Sequence, residues 1–166
     1  LIAASAYVRR LLILEGAAAE KVQVVRLGVH LDGVTPISWE ERRQAEPRVV
    51  FLGRFAPKKH PVALLEAFRL VHARMPEARL SMIGDGEEMP RVRERVRRYG
   101  LADAVTLHGA LSRAPALEIV NHSRVYAQHS VTSLEGETEG FGVSIAEAAT
   151  LGLPVVSTRH NGIPEQ

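Results

Sequence analysis

Short apolar runs alternate with amphipathic segments from one end of the chain to the other, and few architectures satisfy that order. A run too short to make a helix, yet apolar at nearly every position, is buried on both faces. That happens in a parallel sheet whose crossovers are helices. The runs predict strands at Lys21 to Leu27, Arg48 to Gly53, Ala78 to Ile83, Ala104 to Leu107, Ser123 to Gln128 and Pro154 to Ser157. Between them, His60 to Arg74 places Leu64, Phe68 and Val71 on one helical face and stops ahead of Pro76. Met89, Val92, Val96 and Tyr99 form a second stripe, and the arginines at 91, 93, 95, 97 and 98 surround it as a solvated face. The expected fold is α/β, a Rossmann-like parallel sheet with helices on both faces.

Leu31 to Pro47 has no clear period and contains Asp32-Gly33, Thr35-Pro36 and a charged cluster from Glu40 to Arg43. It reads as a linker or hinge. The piece before it, with a helix around Tyr7 to Glu15 between two strands, reads as the tail of a preceding domain. At 166 residues and 46% hydrophobic content the chain is sized for one domain with a buried core. The absence of cysteine excludes disulfides and cysteine-ligated zinc and agrees with a reducing, cytoplasmic setting. Basic residues outnumber acidic ones by only 21 to 19, which gives nucleic-acid binding little support. No apolar run approaches the roughly 18 to 20 residues that cross a bilayer. The opening Leu1-Ile2-Ala3-Ala4-Ser5 lacks an initiator Met, and the terminus Asn161-Gly162-Ile163-Pro164-Glu165-Gln166 stops as an element starts, so the chain is expected to be cut at both ends.

The most telling chemistry lies in Glu139-Gly140-Phe141-Gly142-Val143-Ser144-Ile145-Ala146-Glu147. Gly140 and Gly142 clear side chains from a loop that turns into a helix near Val143, where unpaired N–H groups would suit a phosphate. An eight-residue step at about 100° per residue separates the two carboxylates by about 80°, so Glu139 belongs on the loop. Glu147 sits more than a turn inside the helix, placed to reach another part of the same ligand, such as a ribose diol. The plainer alternative is a solvated glutamate pair. Upstream, Arg48-Val49-Val50-Phe51-Leu52-Gly53-Arg54 is a strand ending in a basic mouth, with Lys59 following. Ligands of open parallel sheets lie beyond the carboxyl ends of the strands, so Arg54 and Lys59 are candidates for holding an anion; the alternative is a pair of surface cations. Gly84-Asp85-Gly86 reads equally as a bare tight turn or as a segment near a nucleotide. His108 borders a base through its backbone or simply ends a strand. No full Gly-x-Gly-x-x-Gly or Gly-Lys-Ser/Thr fingerprint is present.

Taken in order, Gly53-Arg54-Phe55 with Lys59, Ile83-Gly84-Asp85-Gly86, His108-Gly109, Glu139-Gly140-Phe141-Gly142 with Glu147, and Gly152-Leu153-Pro154-Val155-Val156-Ser157 closely resemble the nucleotide-sugar-binding half of the retaining GT-B glycosyltransferases of family 4. Val24 to Asp32 resembles that family's interdomain crossing. The resemblance implies a tail of an N-terminal acceptor domain and crossing at residues 1–31, and an incomplete nucleotide-sugar-binding domain at 32–166.

It also implies transfer of a hexose from a nucleotide-diphosphate sugar to a polysaccharide or lipid-linked acceptor, with retention and without a metal or other cofactor. Arg54 and Lys59 would grip the diphosphate and Glu147 the ribose. Glu139 would face the transferred sugar, and Gly84, Gly86, His108, Phe141, Gly142 and Val143 would border the donor. This half alone is expected to bind donor weakly and to turn over little, and any contact with the inner membrane face falls to the other half.

The chain departs from the family's pattern at His60, at His129-Ser130 and at Ser133 to Thr138, where Glu135 and Glu137 compete with Glu139 for the sugar; spacing favours Glu139. Gln128 to Gly140 is similar to members that build extracellular or capsular polysaccharide. A sugar-nucleotide epimerase of the same fold and a non-catalytic nucleotide-binding module are the rival readings.

Overall fold

Strand β3 (Arg48–Leu52) is central because both of its faces are covered: Val50 and Phe51 point to opposite sides of the sheet and each is fully buried. The computed structural model describes residues 1–166. Around β3, strands β4 (Arg79–Ile83), β5 (Val105–Gly109), β6 (Val125–Gln128) and β7 (Val155–Ser157) complete a five-stranded sheet in the order β5-β4-β3-β6-β7. Every pairing is parallel, and β3 and β4 run in register from Arg48 opposite Arg79 to Leu52 opposite Ile83.

Phe51, Phe55, Leu65, Phe68, Met82 and Val92 form one core under helices α3 (Pro61–Arg74) and α4 (Met89–Arg98). Val50, Ile83, Leu117, Tyr126, Ile145 and Leu151 form the other under α5 (Arg113–Asn121) and α6 (Val143–Thr150). Burying each large apolar side chain contributes roughly 1.5–3 kcal/mol, so the two cores lock helices onto both faces. The chain lays down β3, β4 and β5 in one direction and then returns to place β6 on the other side of β3. That reversal opens a crevice at the carboxyl ends of β3 and β6.

A separate two-stranded sheet, β1 (Ile2–Ala3) with β2 (Gln23–Val24), flanks α1 (Ala6–Leu14). The strand expected over Lys21 to Leu27 shrinks to two residues. A 3₁₀ turn takes Ala19–Lys21, and β1 offers only two residues to pair with.

The expected linker at Leu31 to Pro47 contains α2 (Trp39–Gln44). Ser38 caps it reciprocally with Glu41, each side chain taking the other's backbone N–H. Arg42 then buries its guanidinium on carbonyls at the ends of two helices, donating to Asn121, to Ser123 at 2.6 Å and to Leu151 at 2.8 Å. Those carbonyls carry the negative ends of the α5 and α6 dipoles, which is why a buried cation without a carboxylate is tolerated. Burial still pulls the Arg42 pKa below its ordinary value.

Candidate functional site

A cavity of about 420 Å³ occupies the crevice at the switch point. Leu52 and Gly53 from the end of β3 form its floor, with Leu111, Arg113, Ala116 and Leu117 on one wall. Lys59, Glu139, Phe141, Val143, Ser144 and Glu147 line the rest. Lys59, Glu139 and Glu147 therefore share one cavity, although they come from three separate segments.

The Lys59 stem passes close over Gly53, where a Cβ would lie 3.3 Å from Lys59 Cδ, a tight contact. The Lys59 ammonium pairs with Glu139 Oε2 at 2.6 Å, with the two side chains only 14% and 11% exposed. Gln128 backs this pair, its Oε1 lying 3.5 Å from Lys59 Nζ and its Nε2 lying 3.4 Å from Glu139 and 2.9 Å from Ser130 Oγ. Below it, the hydroxyl of fully buried Tyr126 lies 3.0 Å from the Leu52 carbonyl, 2.9 Å from Gln128 Oε1 and 2.9 Å from Ser144 Oγ. One phenol thus ties together the end of β3, the end of β6 and the start of α6. Burial drives its pKa well above that of free tyrosine, so it stays a neutral hydrogen-bonding group.

Glu147 stands at the other end of the cavity, 3% exposed on α6. Arg113 Nη1 approaches its Oε1 to 2.6 Å, and the same guanidinium lies 3.1 Å from Asp32 and donates to the His30 carbonyl. Arg113 is the only partner of Glu147 Oε1, and their contact is an ion pair rather than a well-aligned hydrogen bond, so this buried carboxylate keeps acceptor capacity beyond it. Burial raises the Glu147 pKa above its ordinary value, the Arg113 charge opposes that rise, and Asp32 adds to it.

The remaining sequence candidates lie elsewhere. Arg54 lines a neighbouring cavity with Glu87, Glu135 and Glu137, is 72% exposed, and stands 3.5 Å from Glu87. Its divergence from Lys59 follows from the next residue: Phe55 is fully buried and packs edge-on to Phe51 at 5.5 Å, so its predecessor is turned outward. Gly84 and Gly86 have φ of 127° and 152°, and a Cβ on Gly84 would meet the Gly53 carbonyl at 2.0 Å. They let the β4–α4 turn close on the loop that carries Arg54. His108 does not line the cavity; its Nε2 lies 3.2 Å from Ser81 Oγ, and burial, with the Arg48 charge, lowers its pKa.

At the elbow, Val143 N–H donates to the Phe141 carbonyl at 3.0 Å. The Gln166 amide lies against Gly142, accepting from its N–H at 2.5 Å and donating to its C=O at 3.0 Å in the orientation that satisfies both groups. Sequence reasoning did not single out Arg113, Gln128, Tyr126 or Ser144. The only local signal was Ser112 preceding Arg113 at the head of a helix.

Residues 37–166 match the family of glycosyl transferases group 1, and the chain belongs to that family. Among its relatives is the putative colanic acid biosynthesis glycosyltransferase WcaL of Escherichia coli K12, 31% identical over 151 residues that cover 90% of this chain and 37% of that protein. Another is the amylovoran biosynthesis glycosyltransferase AmsK of Erwinia amylovora, 28% identical over 154 residues, 93% of this chain and 38% of that one. The chain therefore spans little more than a third of the length of these relatives. The crystal structure of Anabaena HepE in complex with UDP-glucose aligns with a TM-score of 0.79 and 25% identity, over 99% of this chain and 46% of that one. The α/β fold, a parallel five-stranded sheet flanked by helices, matches GT-B glycosyltransferase structures, and no helix is long and apolar enough to cross a membrane.

Proposed function

We propose that this chain is the donor-binding part of a retaining, family 4 hexosyltransferase that takes a sugar from a nucleotide-diphosphate carrier and delivers it to a polysaccharide or lipid-linked acceptor. The observation that carries this reading is the single cavity at the β3/β6 switch point, with Lys59 and Glu139 at one end and Glu147 at the other. The apolar wall of Leu52, Leu111, Ala116 and Leu117 suits the flat face of a base. The unused acceptor on Glu147 suits the paired hydroxyls of a ribose.

Lys59 lies where a diphosphate would follow. Negative charge builds on the leaving phosphate as the glycosidic bond stretches, and a lysine held in a low-dielectric crevice stabilises that charge more than it stabilises the bound donor. Lys59 supplies the positive charge without a metal. Arg54, exposed on the adjoining cavity, would swing onto the same phosphates when donor is bound. Glu139, held beside Lys59, accepts hydrogen bonds from hydroxyls of the transferred sugar. HepE was crystallised with UDP-glucose, and WcaL and AmsK are named for the biosynthesis of colanic acid and of amylovoran, which supports both the donor class and the acceptor class.

Calorimetric titration of the intact protein with UDP, GDP and ADP tests this. Saturable binding of one of them is expected, weakened about tenfold in Glu147→Gln. Failure to bind any of the three overturns the reading.

A further inference from the structure

Helix α1 buries none of its residues: its last residue, Leu14, is 81% exposed, and Ile2 in the neighbouring strand is 74% exposed. Its side-chain hydrogen bonds to the five-stranded body fall on one place. The Glu165 carboxylate caps the helix with both oxygens, accepting from Ala6 N–H at 2.7 Å and from Tyr7 N–H at 2.9 Å. These bonds, that of Ala6 foremost, hold its carboxyl below the ordinary value. Ser5, fully buried, accepts from Val8 N–H at 3.1 Å as the cap of α1 and spends its own proton on the Gly140 carbonyl at 2.7 Å.

Gly140 follows Glu139 directly, and it is gripped from a second side. Gly162 N–H donates to the Glu139 carbonyl at 3.3 Å. A Cβ on Gly162 would come within 1.9 Å of the Gly140 carbonyl, and one on Gly140 within 2.8 Å of Val8 Cγ2. The main chain carrying Glu139 therefore runs through a slot whose walls come from the start of α1 and from the turn around Gly162 to Glu165. Neither wall belongs to the sheet that positions Lys59 and Glu147.

We propose that Ser5 and Glu165 are positioning residues that form a polar clasp on the Glu139 loop and fix the height of its carboxylate over the cavity. This rests on the reading of Glu139 as the group that faces the transferred sugar. Lys59 alone fixes only the far end of a flexible side chain. The clasp fixes the backbone, and a shift of about 1 Å in a group that orients the reacting sugar costs on the order of 100-fold in rate. Movement of the N-terminal unit would pass straight to Gly140 through Ser5.

The test uses the intact protein, its Ser5→Ala and Glu165→Gln variants, and whichever of UDP-glucose, GDP-mannose and ADP-glucose the wild type turns over. Three measurements are made: hydrogen exchange of the amides at 139–143, kcat and KM from nucleotide release, and nucleotide affinity by calorimetry. In both variants the exchange should quicken about tenfold or more while β3 to β6 stay unchanged. The kcat should fall about tenfold with KM and nucleotide affinity within about twofold, because Lys59 and Glu147 are untouched. Wild-type exchange and kcat in both variants would overturn the clasp, as would a rise in KM with kcat preserved. If Ser5→Ala fails to fold, Glu165→Gln decides alone. A Glu139→Gln variant with unaltered kcat would instead overturn the role given to Glu139, and quickened exchange would still establish the clasp. Absence of turnover with all three donors counts against the proposed function, not against the clasp.

Discussion

The two ends of the cavity hold the same pair of charges at the same distance, and they are built in opposite ways. Lys59 with Glu139 and Arg113 with Glu147 each meet at 2.6 Å. At the first end both partners are nearly buried and Gln128 hydrogen-bonds around them, so the pair is closed upon itself. At the second, Glu147 is buried while Arg113 is 43% exposed and shared with Asp32 and the His30 carbonyl. One Glu147 oxygen is left without a hydrogen bond. A buried pair with satisfied neighbours resists the loss of either member, whereas a buried acid facing a solvated cation is ready to exchange that partner for another donor. The first end is built to hold Lys59 and Glu139 in place for the donor, the second to exchange its partner for a ligand group.

The comparison breaks most visibly at Lys59. Lys59→Ala leaves Glu139 buried without its cation and should cost about 3 kcal/mol of stability in a denaturant titration. It should also lower turnover on the order of 100-fold or more. Adding Glu139→Ala to it should restore most of the stability and none of the turnover. If the double variant were as unstable as the single one, the pair would not be closed in the sense argued.

A smaller and differently shaped effect is expected at the other end. Glu147→Gln removes a charge whose burial is opposed by solvent, and it leaves Arg113 in water beside Asp32, so stability should stay within about 1 kcal/mol of wild type. Nucleotide affinity should nevertheless fall about tenfold, since the ribose loses a charged acceptor. A stability loss matching that of Lys59→Ala would make the two ends equivalent.

This division was only half written in the sequence. The order of apolar runs specified a parallel sheet, and glycines at 53, 140 and 142 marked the loops at its carboxyl edge, so Lys59, Glu139 and Glu147 were candidates from the outset. Their partners were not. Tyr126 sits between Val125 and Ala127 in a short strand that Gln128 ends, and a polar residue in such a run reveals itself only when the facing elements are known. Arg113 looks like a surface charge until α5 brings it over the cavity. Arg54 was coupled to Lys59 by proximity in sequence, yet the burial of Phe55 between them sends the two side chains to different cavities. Helix α2 escaped the periodicity argument because six residues complete fewer than two turns, although the Ser38 and Glu41 spacing of a capping box was present.

The finest distinction between the two ends is their response to pH. Burial raises the Glu147 pKa above the ordinary 4.5, so the folded state holds its proton more tightly than the unfolded chain does. The stability linked to that proton is complete below pH 4.5 and is lost as pH rises through the folded value. Glu165 acts in the reverse sense: its lowered pKa gives stability that is present above 4.5 and lost as pH falls through the folded value. Melting curves of wild type alone mix the two, but the difference between wild type and Glu147→Gln isolates the first. That difference should turn against wild type as pH rises from 4.5 and then level off. In Arg113→Gln, which removes the charge that restrains the shift, the decline should continue to higher pH. A difference that stays flat would mean that Glu147 is solvated like any surface acid, and the second end of the cavity would lose the feature that sets it apart from the first.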